Sequence, residues 1–230
     1  MNRDREQMGE RAAGDMPRMG AGDGPETAVA GAPGALLVII SGPSGVGKDT
    51  VIAALRARRH DPDYHYVVTC TTRRRRPGEV DGVDYKFVSR SQFAALAAAG
   101  ELLEATEVHG NLYGTPRADV RGALLAGHDV ILKIDVNGAQ VVKENVPDAL
   151  LVFLVPPSLE DLFGRLRSRA TETADELDLR QRNAAIELAR QDDYDYVVTN
   201  ATDEIERTAA RIDEIMAAEH DRNPTRRVRV

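Results

Sequence analysis

Apolar residues fall along this chain in two rhythms. Three runs are continuous rather than alternating: "ALLVII" at 35–40, "HDVILKIDV" at 128–136 and "ALLVFLV" at 149–155. Runs of that length and β-branched content predict strands covered on both faces. "YHYVVTCTT" at 64–72 and "YDYVVTN" at 194–200 read as two further strands. Between them lie helical patterns. Val51, Ile52, Ala54 and Leu55 have helical spacing in "DTVIAALRARR", and "SQFAALAAAG" closes on Gly100. "TPRADVRGALLAG" has a helix-opening Thr115–Pro116 and a terminal Gly127. "SLEDLFGRLRSR" opens on Ser158 with Asp161 three residues on, an acidic near-match to a capping box. A last helix carries Ile205, Ala209, Ile212 and Met216 on one face. Strands alternating with helices imply right-handed crossovers and a parallel sheet.

Composition narrows the class. With 230 residues, 42% apolar and 29% charged, the chain can bury a real core. A net charge of −7 argues against a polyanion partner for the chain as a whole, so no nucleic acid is expected. No apolar run approaches the length of a membrane span, and no membrane association is expected. The one cysteine, Cys70, rules out an internal disulfide and suits a reducing compartment, so the cytoplasm is the expected location. Residues 1–34 hold many Gly, Pro, Met and charged residues with one β-branched aliphatic, Val29, which predicts a disordered leader. Residues 219–230 read as a loose basic tail, although "RVRV" could add an edge strand. The five histidines are scattered without ligand spacing, so no protein metal cluster is expected. Oligomeric state is not legible.

Chemistry enters at "SGPSGVGKDT", 41–50, placed between the first strand and the first helix. Gly42, Gly45 and Gly47 would let backbone N–H groups curl around an anion, with Lys48 reaching the β- and γ-phosphates of a nucleotide. Gly42, Pro43, Ser44, Gly45, Val46, Gly47, Lys48, Asp49 and Thr50 are therefore the expected ATP-binding stretch. Asp49 is anomalous, since a hydroxyl usually follows the lysine and helps to hold Mg²⁺.

From residue 69 the chain reads "TCTTRRRRPGEVDGVDYKFVS", then "GELLEATEVHGNLYGTP", then "ILKIDVNGAQ". Taken singly, the arginine run is ordinarily a solvated patch, Glu104 a surface carboxylate and Tyr85 a packing residue. Taken together, these motifs resemble the guanylate kinase family, and the likeness covers residues 35 to about 218. The chemistry agrees. Arg73 and Arg76 offer two guanidinium forks for a phosphate, Tyr85 and Tyr113 offer hydroxyls, and a carboxylate such as Glu104 can accept both adjacent donors of guanine. The resemblance implies GMP contacts at Thr69, Arg73, Arg76, Tyr85, Glu104, Tyr113, Thr115 and Asp135, and an adenine neighbour at Asn200. It also implies a lid over ATP in "RLRSRATETADELDLRQR", with Arg169 and Arg180 approaching the transferred phosphoryl group. Lys48, Arg76, Arg169 and Arg180 are then the expected catalytic set, with Mg²⁺ bound alongside ATP.

The implied fold is an α/β phosphate-loop kinase: a parallel-sheet core with a mixed α+β GMP-binding insertion and a helical lid. The core comprises 35–67, 120–156 and 194–218, the GMP-binding region 68–119 and the lid 157–193. The implied reaction is ATP-dependent phosphorylation of GMP, with dGMP as a second acceptor, in purine nucleotide metabolism. Three positions depart from the family pattern: Asp49, Cys70, and Lys133 where an acidic residue is usual. A carboxylate gained at 49 and lost at 133 keeps the local charge similar, which makes Asp49 a candidate Mg²⁺ contact. Two rivals stand beside this reading. A ribose 1,5-bisphosphate kinase shares the "GPSGxGKD" loop but has no use for guanine acceptors. A non-catalytic guanylate-kinase-like binding module typically lacks the loop lysine and some of the arginines retained here.

Overall fold

The computed structural model describes residues 28–58, 60, 63–108, 110–168 and 174–230. Strand β1 (Leu37–Ser41) is buried throughout and divides its side chains between two cores. Leu36, Val38 and Ile40 join one apolar cluster, while Leu37 and Ile39 join the other. That split is the physical meaning of a continuous apolar run: both faces of the strand are covered. The first cluster is closed by α1 (Lys48–Ala57), α5 (Leu159–Ser168) and α7 (Ile205–Arg222); the second is closed by α3 (Arg117–Leu125) and α4 (Val136–Asn145).

The central sheet has five parallel strands in the order β2-β7-β1-β8-β9. Here β2 is His65–Tyr66, β7 Val130–Lys133, β8 Leu150–Val155 and β9 Tyr196–Thr199. The carboxyl ends of β1, β7, β8 and β9 lead respectively into the glycine-rich loop, Asp135, the expected lid and Asn200. All strands running one way therefore brings four distant parts of the chain to one edge.

A second sheet, mixed in direction, runs β4-β3-β6-β5, with β3 at Cys70–Thr71, β4 at Lys86–Phe87, β5 at Leu102–Val108 and β6 at Asn111–Pro116. Helix α2 (Arg90–Ala98) starts on a capping box formed by Ser89 and Gln92 and inserts Phe93 beneath this sheet. The single strand expected over 64–72 is thus two strands in two sheets. β-propensity marks the run as extended but carries no information about partners, and the chain changes sheets between Tyr66 and Cys70. Likewise Thr115, expected to open a helix, is the buried penultimate residue of β6, and α3 starts after Pro116.

The loose-tail expectation is corrected. Residues 219–222 are the last turn of α7, and the chain end folds back onto the segment beginning at 28. Gly31 N–H donates to the Val228 carbonyl at 2.8 Å, Val29 and Val230 exchange hydrogen bonds at 3.2 Å, and Ala30 bridges Arg229. Val228 and Val230 are buried in the second core beside Val120 and Leu124. Residues 29–34 of the expected leader are therefore ordered by this pairing, whereas 1–27 lie outside the described residues. Composition missed this because two buried valines suffice where a ready apolar face awaits them. Removing residues 226–230 should cost roughly 3 kcal/mol, two buried valines' worth, read as a lower denaturation midpoint. An unchanged midpoint would show that the pairing is incidental.

Candidate active site

The loop from Gly42 to Gly47 wraps the start of α1. Gly47 is its N-cap in the left-handed region, φ 100°, and a Cβ there would meet the Asn200 amide nitrogen at 2.6 Å. Gly42, at φ 143°, would place a Cβ 2.5 Å from the Leu154 carbonyl oxygen. Both glycines are thus required by close approach as well as by backbone conformation. Asn200 donates to the Val46 carbonyl at 2.8 Å, and Arg165 braces the same carbonyl at 2.9 Å and that of Asn200 at 3.0 Å. Ser44 N–H donates to a Glu187 carboxylate oxygen at 3.0 Å, so the loop holds an anionic oxygen from the chain itself. Arg180 reaches the Ser44 hydroxyl at 3.3 Å.

Lys48 lies back along its loop, donating to the carbonyls of Gly42 at 2.5 Å and Pro43 at 3.2 Å. Burial lowers its pKa from the ordinary lysine value, and the carboxylates of Glu187, Asp135 and Asp49 offset part of that drop. Asp49 stands in the first turn of α1, with its carboxylate 2.5 Å from the Lys133 ammonium; Thr50 beside it is exposed. Two of the three departures from the family pattern are therefore bonded to each other.

Across the cleft, Glu104 is 3% exposed. The pairing of β5 with β6 shifts register between Leu102 and Ala105, a bulge that buries Leu102, Leu103 and Glu104 in succession and breaks the strand's alternation. The Thr115 hydroxyl donates to one Glu104 oxygen at 2.8 Å, and Thr106 lies 3.4 Å from the other and 3.4 Å from Asp135. Burial pushes the Glu104 pKa up to about 8, against the pull of these hydroxyls. Asp135 is the N-cap of α4, accepting from the N–H groups of Asn137 and Gly138 at 2.7 and 3.0 Å.

Tyr85 and Tyr113 meet edge to face at 6.0 Å, and the Arg73 guanidinium lies 5.4 Å from the Tyr85 centroid. Arg73 is paired with Glu79 at 2.6 and 3.1 Å, and Glu79 also accepts the Arg76 N–H at 2.7 Å. Arg76 itself is exposed, and Thr69 is buried where the chain passes from one sheet to the other. Arg169 lies outside the described residues.

Sequence reasoning overlooked Thr106, Glu79 and Glu187. Thr106 was accessible, because a residue two along a strand from Glu104 shares its face. Glu187 was not, since it comes from a helix 143 positions beyond Ser44.

A phosphate loop at the carboxyl edge of a parallel sheet, facing a second lobe that buries a carboxylate among hydroxyls, defines a phosphate-loop nucleoside monophosphate kinase, a phosphotransferase. The guanylate kinase family pattern matches residues 35–219. The guanylate kinase of Halalkalibacterium halodurans is 48% identical over 185 residues, covering 80% of this chain and 89% of that protein. That of Mycobacterium tuberculosis is 48% identical over 188 residues, covering 79% and 89%. The crystal structure of guanylate kinase from Anaplasma phagocytophilum superposes with a TM-score of 0.65 at 32% identity, covering 83% of this chain and 88% of that one. The chain belongs to the guanylate kinase family.

Proposed function

We propose that the protein transfers the γ-phosphoryl group of ATP to GMP, yielding ADP and GDP, with dGMP as a second acceptor. The observation that carries this reading is the buried Glu104 carboxylate, held by Thr115 and Thr106 opposite an intact phosphate loop. Guanine's N1–H and exocyclic amine are adjacent donors, and an ionised carboxylate accepts both. Arg73, Arg76, Tyr85 and Tyr113 would bind the GMP phosphate, with Thr69 and Asp135 completing the acceptor site. The loop residues 42–50 and Asn200 would hold ATP. Phosphoryl transfer asks a protein for positioning and charge neutralisation, which Lys48, Arg76, Arg169 and Arg180 supply. In this reading residues 68–119 form the acceptor region and 157–193 close over ATP, excluding water that would otherwise take the phosphoryl group. No helix among the described residues is long and apolar enough to cross a membrane, and the lone buried Cys70 suits the cytoplasm.

No group of His, Cys, Asp or Glu among the described residues is arranged to hold a metal ion unaided. The residues do fit Mg²⁺ carried by ATP, a hard cation that keeps waters and phosphate oxygens and needs one or two protein oxygens. The Asp49 carboxylate and the Thr50 hydroxyl would supply them. The metal's contribution when bound is to neutralise charge on the β- and γ-phosphates. Replacing Asp49 with Ala should raise the Mg²⁺ concentration for half-maximal activity by about three- to tenfold, because one anionic partner is lost and the site remains. A midpoint that stays put while thermal stability falls would confine Asp49 to the helix start.

The test of the main reading is ADP release measured across GMP, dGMP, AMP and ribose 1,5-bisphosphate. GMP should dominate. Preference for the bisphosphate, or equal use of AMP, would overturn it.

A further inference from the structure

Lys133 ends β7 and sits in register with Ile40 of β1, just before the phosphate loop. Its ammonium lies 2.5 Å from Asp49 in the first turn of α1 and 5.1 Å from the centroid of the Tyr85 ring. That ring in turn packs against Tyr113 and lies beneath Arg73. One cation therefore touches an element of the ATP loop and an element of the acceptor lobe, two regions that otherwise belong to different sheets. Lys133 is half-buried while its partner Asp49 is exposed, so the pair is partly screened and weakens with added salt. Burial pulls its pKa down, but Asp49 and Tyr85 more than compensate, and the group stays protonated above the ordinary lysine range.

We propose that Lys133 is a positioning residue that couples the two substrate sites, holding Asp49 and Tyr85 on one ammonium so that filling either site presets the other. This rests on the guanylate kinase reading. Asp49 directly follows Lys48 in the first turn of α1, so a tether on its side chain restrains the turn that carries the proposed catalytic ammonium. Tyr85 immediately precedes β4 and packs on Tyr113 of β6, so it is fixed to the sheet of the proposed acceptor region. A lysine suits the task because its three donors and its attraction to an aromatic face serve two partners at once.

The test is calorimetric. GMP affinity is measured for the whole chain, alone and with saturating Mg²⁺ and β,γ-methylene ATP. The unaltered protein should bind GMP at least about fivefold more tightly when the analogue is present, within the usual range of coupling between sites. Lys133→Met should leave each affinity alone within about threefold while the coupling falls towards one. Each KM, measured with the other substrate saturating, should rise by about the coupling that is lost, and Lys133→Arg should recover part of it. Because Asp49 acts through Lys133 here, Asp49→Asn combined with Lys133→Met should lose no more coupling than Lys133→Met alone. Melting curves accompany each variant, and Lys133→Gln replaces Lys133→Met if the latter does not fold. Full coupling in Lys133→Met, multiplying losses in the double variant, or absence of coupling in the unaltered protein overturns the proposal. Failure of the unaltered protein to bind GMP would instead tell against the underlying substrate assignment.

Discussion

Lys48→Met should reduce turnover at least about a thousandfold while leaving the fold in place. In the proposed reading the ammonium follows the β- and γ-phosphates as negative charge shifts, and losing such a group costs about 4 kcal/mol of transition-state stabilisation. The ground state points the other way. Lys48 is a half-buried cation whose pKa is lowered by desolvation, and it donates to two carbonyls of its own loop. Methionine fills the same volume without a charge to desolvate, so thermal stability should hold or rise slightly. GMP affinity, which depends on the other lobe, should be little altered. ADP-release kinetics beside melting curves and GMP calorimetry read all three quantities. Near-normal turnover would mean that the loop is not the donor site.

Glu104→Gln should weaken GMP binding by roughly a hundredfold or more and leave ATP binding nearly untouched. Glutamine keeps one acceptor but turns an amide donor towards guanine's donor, and a buried mismatch of that kind is heavily penalised. The pH dependence offers a second reading. The folded-state pKa of Glu104 is raised to about 8, well above that of an unfolded glutamate, so between those values the folded protein holds a proton that the unfolded chain releases. The carboxyl's contribution to stability therefore falls as pH rises through that window, by up to about 1.4 kcal/mol per unit. The Gln variant lacks this loss, so its stability relative to the unaltered protein should improve from pH 5 to 8. Guanine requires the ionised carboxylate, so GMP binding below pH 8 should release a proton, visible as a binding enthalpy that tracks the buffer's ionisation enthalpy. Proton release that persists in Glu104→Gln would assign the titrating group elsewhere.

The parallel core was legible because its determinants are local. Uninterrupted apolar runs mark strands covered on both faces, helical periodicity marks their covers, and a glycine-rich loop between the first strand and helix marks the phosphate end. Ser158 could be read as a helix start for the same reason, and its hydroxyl does accept the Asp161 N–H at 3.0 Å. The order of strands, the break of 64–72 between two sheets, and the burial of Val228 and Val230 were not legible, because each depends on which distant surface a segment meets. The proposed acceptor residues were picked out by a pattern of spacing, but that Glu104 is buried follows from a bulge between β5 and β6 that alternation cannot foresee. The sequence by itself determined the chemical inventory: a lysine loop, an arginine pair, two tyrosines and the carboxylate proposed to meet guanine. Only the tertiary structure decided how that inventory is wired. Asp49 and Lys133 are 84 positions apart, and it is the parallel pairing of β1 with β7 that sets both at the same edge. Coulomb attraction then joins directly two departures that the sequence linked only through their charges.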